Sequence, residues 1–289
     1  MVRVGLHALG IGSGARPEVI RAVAVAAETA GFATLWSGEH VVMVDRPASR
    51  YPYSADGQIA VPAEADWLDP LLGLSFTAAV TTTIGLATGV LLLPEHHPVV
   101  TAKQAATLDV LSGGRLTLGV GIGWSAEEFA ALGVPFAGRG RRTAEYVAAM
   151  RALWADDVAS FSGEFTAFES VRVNPKPVHG RRIPVVIGGN SDAALARVAA
   201  FGDGWYGFNV PAGALAGRMA ELAGQCERHG RSLRDLTVAV ALADGHPGML
   251  AEVGEAGVDE LVVVAAPPED PDAAAGWVRE LASQWGVRA

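Results

Sequence analysis

Residues 2–31 read VRVGLHALGIGSGARPEVIRAVAVAAETAG. The mostly apolar run from Val2 to Ala8 predicts a buried strand, and the glycines that follow it predict a loop. Pro17 then opens an alanine-rich stretch that stops at Gly31. This stretch predicts a helix, because proline suits the first helical turn and glycine suits the position after the last one.

The same order of strand and helix recurs to the end of the chain. Further apolar runs predict strands at Thr34 to Trp36, Ile84 to Leu92, Leu116 to Val120, Ile183 to Ile187, Trp205 to Phe208, Leu236 to Leu242 and Leu261 to Val264. Helical patterns follow at Leu71 to Val80 behind an Asp69 cap, Val99 to Leu111, Ala126 to Leu132, Glu145 to Trp154, Asp192 to Ala200, Leu215 to Arg228, after Leu242, and Ala273 to Trp285.

Near-continuous apolar strands that alternate with helices indicate a parallel sheet covered by helices. Eight such units favour a closed (β/α)8 TIM barrel. The main rival is an open doubly wound sheet, whose dinucleotide fingerprint requires a Gly-x-Gly-x-x-Gly turn that Gly10, Gly12 and Gly14 do not form. No linker divides the chain, so we expect one domain over residues 1–289.

Two segments depart from the minimal barrel unit. Residues 41–69 form a long polar, proline-containing loop after the second strand, and long loops at this end of a barrel are candidate lids. The segment from Phe161 to Phe165 predicts a small hairpin inserted before the fifth barrel strand.

Composition limits the classes of partner. The formal net charge of −9 disfavours nucleic acid and anionic membranes, because phosphate contacts require a basic surface. The chain has no run of about 20 apolar residues and no signal-peptide pattern at its start, so we expect a cytoplasmic protein. Cys226 is the only cysteine, and His96 and His97 lack further ligands at metal spacing, so no metal site is expected.

Barrel enzymes place their sites at the C-terminal ends of the strands, which restricts the candidates to four segments. His40 follows the second strand and is a candidate acid or base. A glycine interrupts the third strand, the fourth strand ends in glycines that clear room for a flat ring, and the turn after the fifth strand offers main-chain donors to an anion. The residues of these three segments are Thr88, Gly89 and Val90; Gly121, Gly123 and Trp124; and Gly188, Gly189, Asn190 and Ser191.

Each candidate has a structural alternative. A histidine at the position of His40, taken alone, is more often structural; Gly89 is also compatible with tight packing inside the barrel, and the turn at Gly188 with an ordinary capped connection. Arg139, Arg141 and Arg142 lie at a helix start, where the helix dipole disfavours cations. An anionic ligand would explain their placement, and a solvated surface is the other explanation.

Together these segments resemble the luciferase-like monooxygenase superfamily, in particular its actinobacterial subgroup of coenzyme F420-dependent oxidoreductases. The resemblance spans nearly the whole chain. Its most specific pieces are residues 26–32, 36–40, 49–54, 67–71, 106–115, 119–124, 175–177 and 187–191.

The resemblance implies a 5-deazaflavin at the barrel mouth, with its phosphate near Gly188 to Ser191. Glu39 and His40 match the family's cofactor-facing and catalytic pair. The Gly89–Val90 peptide is expected to be cis, because relatives support the ring there with a cis peptide that does not involve proline. A glutamate stands at the position of Trp124 in the sugar-phosphate dehydrogenase branch, which argues against the same substrate here.

The implied reaction is hydride transfer between coenzyme F420 and a small organic substrate. One alternative is an FMN-dependent monooxygenase that uses reduced flavin and O2 and depends on a separate reductase. Another is a non-catalytic flavin-binding paralogue. The resemblance also implies a homodimer. The anionic tail of F420 requires local cations, for which the candidates are Arg139, Arg141, Arg142, Arg181 and Arg182.

Overall fold

A closed barrel of eight parallel strands forms the centre of the fold in a computed structural model that describes residues 2–288. The described residues contain, in chain order, the barrel strands together with the short β4 and the separate pair β6 and β7. They are β1 (Arg3–Leu9), β2 (Thr34–Ser37), β3 (Gly85–Thr88), β4 (Leu91–Leu92), β5 (Leu116–Gly121), β6 (Ala159–Ser162), β7 (Ala167–Val171), β8 (Val185–Gly188), β9 (Gly204–Val210), β10 (Thr237–Leu242) and β11 (Glu260–Val264). Around the barrel the order is β3, β2, β1, β11, β10, β9, β8 and β5, and pairing of β3 with β5 closes it. The (β/α)8 prediction is confirmed.

Helices surround the barrel: α1 (Pro17–Ala30), α2 (Pro70–Ala78), α3 (Pro98–Ser112), α4 (Ala126–Ala131), α5 (Arg139–Ala155), α6 (Asp192–Phe201), α7 (Ala212–Arg228), α8 (Leu250–Glu255) and α9 (Pro271–Gln284). Their ends follow the predicted signals. The Asp69 side chain accepts a hydrogen bond from the Leu72 amide and caps α2, and Gly31 ends α1 with a φ of 91°. That left-handed conformation favours glycine at such a position.

The apolar core has two layers. The larger layer lies between the sheet and the helices, and a smaller cluster fills the barrel interior. In the interior, the ring of Trp36 stacks on Tyr206 at 4.4 Å between centroids, and its indole N–H donates to the buried Glu260 carboxylate at 2.8 Å. Such an aromatic pair contributes about 0.5–1.5 kcal/mol beyond its burial.

The third barrel strand differs from the continuous run predicted over Ile84 to Leu92. It is divided into β3 and β4, both of which pair with β5, and the Gly89–Val90 peptide between them is cis, as predicted. Two helical predictions also need correction. Helix α5 begins at Arg139, not Glu145, and the segment after β10 contains only the short α8 behind a turn.

The two insertions lie where they were predicted. Strands β6 and β7 form an antiparallel hairpin before β8. The long loop after β2 is attached to the loop after β1, because the Leu68 amide donates to the Gly10 carbonyl at 2.8 Å and the Gly12 amide to the Asp66 carbonyl at 2.9 Å. No helix within residues 2–288 has the length and apolar character needed to cross a membrane.

Candidate active site

His40 follows the C-terminal end of β2 and is bonded to a carboxylate. Its Nδ1 atom lies 2.8 Å from Oε2 of Glu128, and only 7% of its side chain is exposed. The ring lies edge-on to Trp67 and Trp124, at centroid distances of 4.8 and 5.7 Å. Two of the predicted site residues, His40 and Trp124, are therefore brought together at the mouth of the barrel.

Glu128 was not predicted as a site residue. It lies in the first turn of α4, and its Oε1 atom accepts hydrogen bonds from the amides of Val41 at 2.7 Å and Val42 at 3.2 Å. The hydrogen-bond network therefore assigns the proton of the His40–Glu128 contact to Nδ1 of His40. This leaves Nε2 as the ring atom able to accept or deliver a proton.

Glu39 has a supporting position behind the mouth. Its side chain is buried, and Oε2 accepts the amide of Leu92 at 2.5 Å while Oε1 lies 2.9 Å from Nε2 of His96. Burial alone would lower the pKa of His96, but the hydrogen bond and the charge of Glu39 outweigh it and raise that pKa. Glu39 thus holds the end of β4 and the turn that leads into α3.

The glycines at the strand ends lie against neighbouring side chains. A Cβ built on Gly121 would lie 2.6 Å from Cγ2 of Val90, and one built on Gly188 would lie 2.8 Å from Cγ1. Both glycines therefore make room for the side chain of Val90. At Gly123 the equivalent atom would lie 2.5 Å from Cε2 of Phe129.

Thr88 is likewise turned away from the mouth. Its hydroxyl is buried and donates to the carbonyl of Gly119 at 2.6 Å. Gly89 and Val90 are both partly accessible, so the cis peptide, and not the threonine side chain, is the part of this segment that reaches the mouth.

The turn from Gly188 to Ser191 has the features of an anion site. The Ser191 hydroxyl caps α6 by accepting from the Ala194 amide, and Nδ2 of Asn190 donates to the Phe208 carbonyl at 2.7 Å. Within residues 2–288, the amides of Asn190 and Ser191 donate to no other residue, and the buried Oδ1 of Asn190 has no partner. Gly189 has a φ of +115°, a conformation that side chains rarely adopt.

Two arginines lie close together near this turn. Arg139 donates to the Gly123 carbonyl at 3.1 Å, and its charge, after burial, contributes to lowering the pKa of Arg197. The buried Nε of Arg197 has no partner among the described residues. No sequence pattern singles out Arg197, because it lies inside an ordinary amphipathic helix.

The other predicted cations are engaged elsewhere. Arg141 forms an exposed ion pair with Glu164, and Arg142 is buried and donates to the Pro135 carbonyl. Arg181 and Arg182 precede β8, so they lie at the opposite end of the barrel from the mouth, where they pair with Asp157 and Asp203. Their predicted contact with a cofactor tail is therefore wrong.

The loop after β2 covers part of the mouth with aromatic side chains. Tyr51 contacts Trp124 at 5.3 Å between ring centroids, and Tyr53 contacts Phe208 at 5.6 Å. The carbonyl of Tyr53 accepts from Nδ2 of Asn209 at 2.7 Å. These contacts support the prediction that this loop lies over the site.

The adjacent carboxylates of α4 hold the same loop. Oε1 of Glu127 accepts the amides of Ala48 at 2.7 Å and Ser49 at 3.0 Å, as Glu128 does for the residues after His40. The Ser49 side chain, together with main-chain amides, lowers the pKa of Glu127 to about 2. Within residues 2–288, no cluster of three or more His, Cys, Asp or Glu side chains is arranged to hold a metal ion.

The geometry defines a (β/α)8-barrel enzyme fold with a carboxylate–histidine pair, aromatic side chains and a glycine-containing turn at the C-terminal mouth. The chain belongs to the luciferase-like monooxygenase family, whose model matches residues 3–243. An uncharacterized protein of Mycobacterium tuberculosis is 35% identical over 267 residues, covering 91% of this chain and 92% of that protein.

Solved structures share the fold at low sequence identity. The coenzyme F420-dependent tetrahydromethanopterin reductase of Methanopyrus kandleri superposes with a TM-score of 0.75 at 17% identity, covering 98% of each chain. A monooxygenase of Streptomyces bottropensis superposes with a TM-score of 0.73 at 18% identity, also covering 98% of each chain.

Proposed function

We propose that this protein is an oxidoreductase that transfers a hydride between coenzyme F420 and a small organic substrate. The observation that carries the proposal is the His40–Glu128 pair, held between two tryptophans at the mouth of the barrel. The family and the fold shared with an F420-dependent reductase support a deazaflavin cofactor.

The residues at the mouth fit such a cofactor. An anionic phosphate matches the amides of Asn190 and Ser191, and the unpartnered Nε of Arg197 supplies positive charge nearby. The partly exposed Gly89–Val90 segment and Trp124 would flank a flat ring. When bound, the deazaflavin supplies the ring carbon that accepts or donates the hydride.

His40 would handle the proton. A substrate that releases a hydride from carbon also releases a proton from the attached heteroatom, and Nε2 of His40 accepts it while Nδ1 stays bonded to Glu128. In the reverse direction the same atom returns the proton. Trp67 and Trp124 pack edge-on against the ring and would limit the access of water to it.

An FMN-dependent monooxygenase is the second candidate, supported by the fold shared with a monooxygenase. It would need reduced flavin from a separate reductase. The two functions are separated by expressing the protein in a host that makes both cofactors and recording the absorbance spectrum and mass of the small molecule that copurifies. Titration of the purified protein with F420 and FMN then gives the two dissociation constants. Tighter binding of FMN would reject the F420 assignment.

We also propose a homodimer. Leu72 on α2 and Val100 and Leu111 on α3 are exposed apolar side chains, with 69%, 53% and 64% of their surface accessible, and the two helices pack against each other. Burial of such residues by a second copy would remove apolar surface from water. Sedimentation velocity of the wild type and of Leu72→Arg tests the assignment, because the substitution should yield monomers.

A further inference from the structure

The side chains of three glutamates and two histidines come together at the C-terminal mouth of the barrel. Two of the glutamates are each bonded to one histidine: Glu128 to His40 at 2.8 Å, and Glu39 to His96 at 2.9 Å. The third, Glu95, lies close enough for its charge to interact with both paired carboxylates. The cluster therefore has one more carboxyl group than it has imidazoles.

Glu95 is buried without a partner. It ends the short turn Leu93–Glu95 after β4, and the residue is 9% exposed. Neither of its carboxyl oxygens has a hydrogen-bond partner within residues 2–288. Oε1 lies next to Gly123, because a Cβ built on Gly123 would lie 3.0 Å from it.

Among residues 2–288, no Lys, Arg or His side chain forms an ion pair with this carboxyl. Helix α5 packs against the turn, but its Arg139 and Arg142 donate to the carbonyls of Gly123 and Pro135. Asp69 also acts on His96 and adds negative charge to the surroundings of the cluster.

An unpaired carboxylate in this position would be costly. Removing an ion from water costs several kcal/mol unless a counter-charge and hydrogen bonds replace the lost hydration. Burial, and then the charges of Glu128 and Glu39, raise the pKa of Glu95 to about 9. The neutral acid is therefore the form that the folded protein favours at neutral pH.

We propose that Glu95 is a positioning residue that stays a protonated carboxylic acid and keeps a third negative charge away from the His40–Glu128 and His96–Glu39 pairs. Each of the two remaining carboxylates then has one imidazole as its hydrogen-bond partner. When Glu95 loses its proton, the added charge perturbs both pairs. The importance of this for turnover rests on the function proposed above, whereas the protonation itself does not.

Infrared spectroscopy of the protein without cofactor tests the protonation. The carbonyl stretch of a protonated carboxyl should persist at pH 8, decline towards pH 10, and disappear in Glu95→Gln. It should remain in Glu127→Gln, which removes an ionised carboxylate. A wild-type band that is lost below pH 6, or one that survives in Glu95→Gln, would overturn the proposal. If the glutamine variant does not fold, Glu95→Leu serves instead.

Nuclear magnetic resonance of the imidazole rings tests the positioning role. In the wild type, the His40 ring signals should shift between pH 8 and 10 as Glu95 ionises, and in Glu95→Gln that shift should be absent. Identical His40 responses in the two proteins would refute the positioning role. Failure to bind F420 or FMN would contradict the proposed function and leave both spectroscopic results standing.

Discussion

Nδ1 of His40 and Oε2 of Glu128 lie 2.8 Å apart although the two residues are 88 positions apart in the chain. The carboxylate fixes the proton of the neutral ring on Nδ1, so that Nε2 is free to act as a base. This contact links the end of β2 to the first turn of α4, and the same carboxylate also holds the start of the loop over the mouth.

Glu128→Gln should lower kcat/KM by roughly a hundredfold or more. The amide oxygen can still accept from Val41 and Val42, but the amide nitrogen then faces Nδ1 of His40 and favours the tautomer with its proton on Nε2. That tautomer cannot act as a base at Nε2. Steady-state kinetics with a confirmed substrate measures the loss.

Glu127→Gln is the matched control, because Glu127 is adjacent but bonds the loop at Ala48 and Ser49 instead of His40. It should change KM more than kcat.

His40→Ala should reduce turnover by about a hundredfold or more while cofactor affinity stays within about tenfold. The double variant His40→Ala, Glu128→Gln should be no slower than His40→Ala, and additive losses would show that the pair does not act as a unit.

Gly121→Ala should destabilise the protein by about 1–3 kcal/mol, because the added methyl group would lie 2.6 Å from Cγ2 of Val90. Val90→Ala removes the obstructing atoms. The penalty of Gly121→Ala should therefore shrink by at least about 0.5 kcal/mol in the Val90→Ala background, measured by urea denaturation. Equal penalties in the two backgrounds would mean that Gly121 is required for another reason.

Glu28 supports the start of β3 from helix α1. Its carboxylate accepts the amides of Thr82, Thr83 and Ile84 at 2.6–3.0 Å. Partial burial would raise the pKa of Glu28, but these hydrogen bonds outweigh it and bring the pKa down to about 2. Since the folded-state value is below the ordinary one, the stabilisation is present above about pH 4.5 and is lost as pH falls towards 2.

Glu28→Gln should therefore lower the free energy of unfolding by about 1–2 kcal/mol at pH 7, after allowance for screening by solvent. The difference from the wild type should narrow at pH 3. Urea denaturation at the two pH values measures it. Glu18→Gln on the same helix removes an exposed carboxylate and should have little effect. A difference that does not depend on pH would rule out the ionised carboxylate as its source.

The barrel could be predicted from local signals because each of them has a local cause. Asp69 and Ser191 cap helices through their own side chains, and Gly31 ends α1 in a conformation that favours glycine. His40 and Trp124 were both predicted at the barrel mouth, since the ends of parallel strands meet on one face, and the structure brings their rings into contact. The cis peptide at Gly89–Val90 was predicted only through family resemblance.

The partners of these residues could not be predicted. Glu128 follows a capping serine in the first turn of a helix, where acidic residues are common for reasons of the helix dipole alone, so its contact with His40 leaves no mark in the sequence. Glu95 is an unremarkable polar residue until the fold buries it. The role of Gly121 depends on where Val90 points, which is a tertiary contact.

The last prediction concerns the cations that an anionic cofactor would meet. Arg197→Gln should weaken F420 binding by about tenfold at low salt, which corresponds to about 1.4 kcal/mol. Arg197 is partly buried beside Arg139, and its Nε has no partner within residues 2–288. An anionic ligand would relieve the repulsion between these two guanidinium groups. Titrations at several salt concentrations measure the effect.

Arg182→Gln is the matched control, because Arg182 is already paired with Asp203 at the far end of the barrel. It should leave both F420 affinity and its salt dependence unchanged.

In Arg197→Gln the salt dependence of F420 binding should become weaker, since screening at about 0.15 M acts over roughly 8 Å and affects charges at the mouth. Titration with F420 lacking its oligoglutamate tail then locates the interaction. If Arg197→Gln weakens full-length and tail-free cofactor equally, Arg197 acts on the phosphate; if only the full-length cofactor is affected, it acts on the tail. If the loss of F420 affinity in Arg197→Gln only equals that in Arg182→Gln, neither the phosphate nor the tail of the cofactor contacts Arg197.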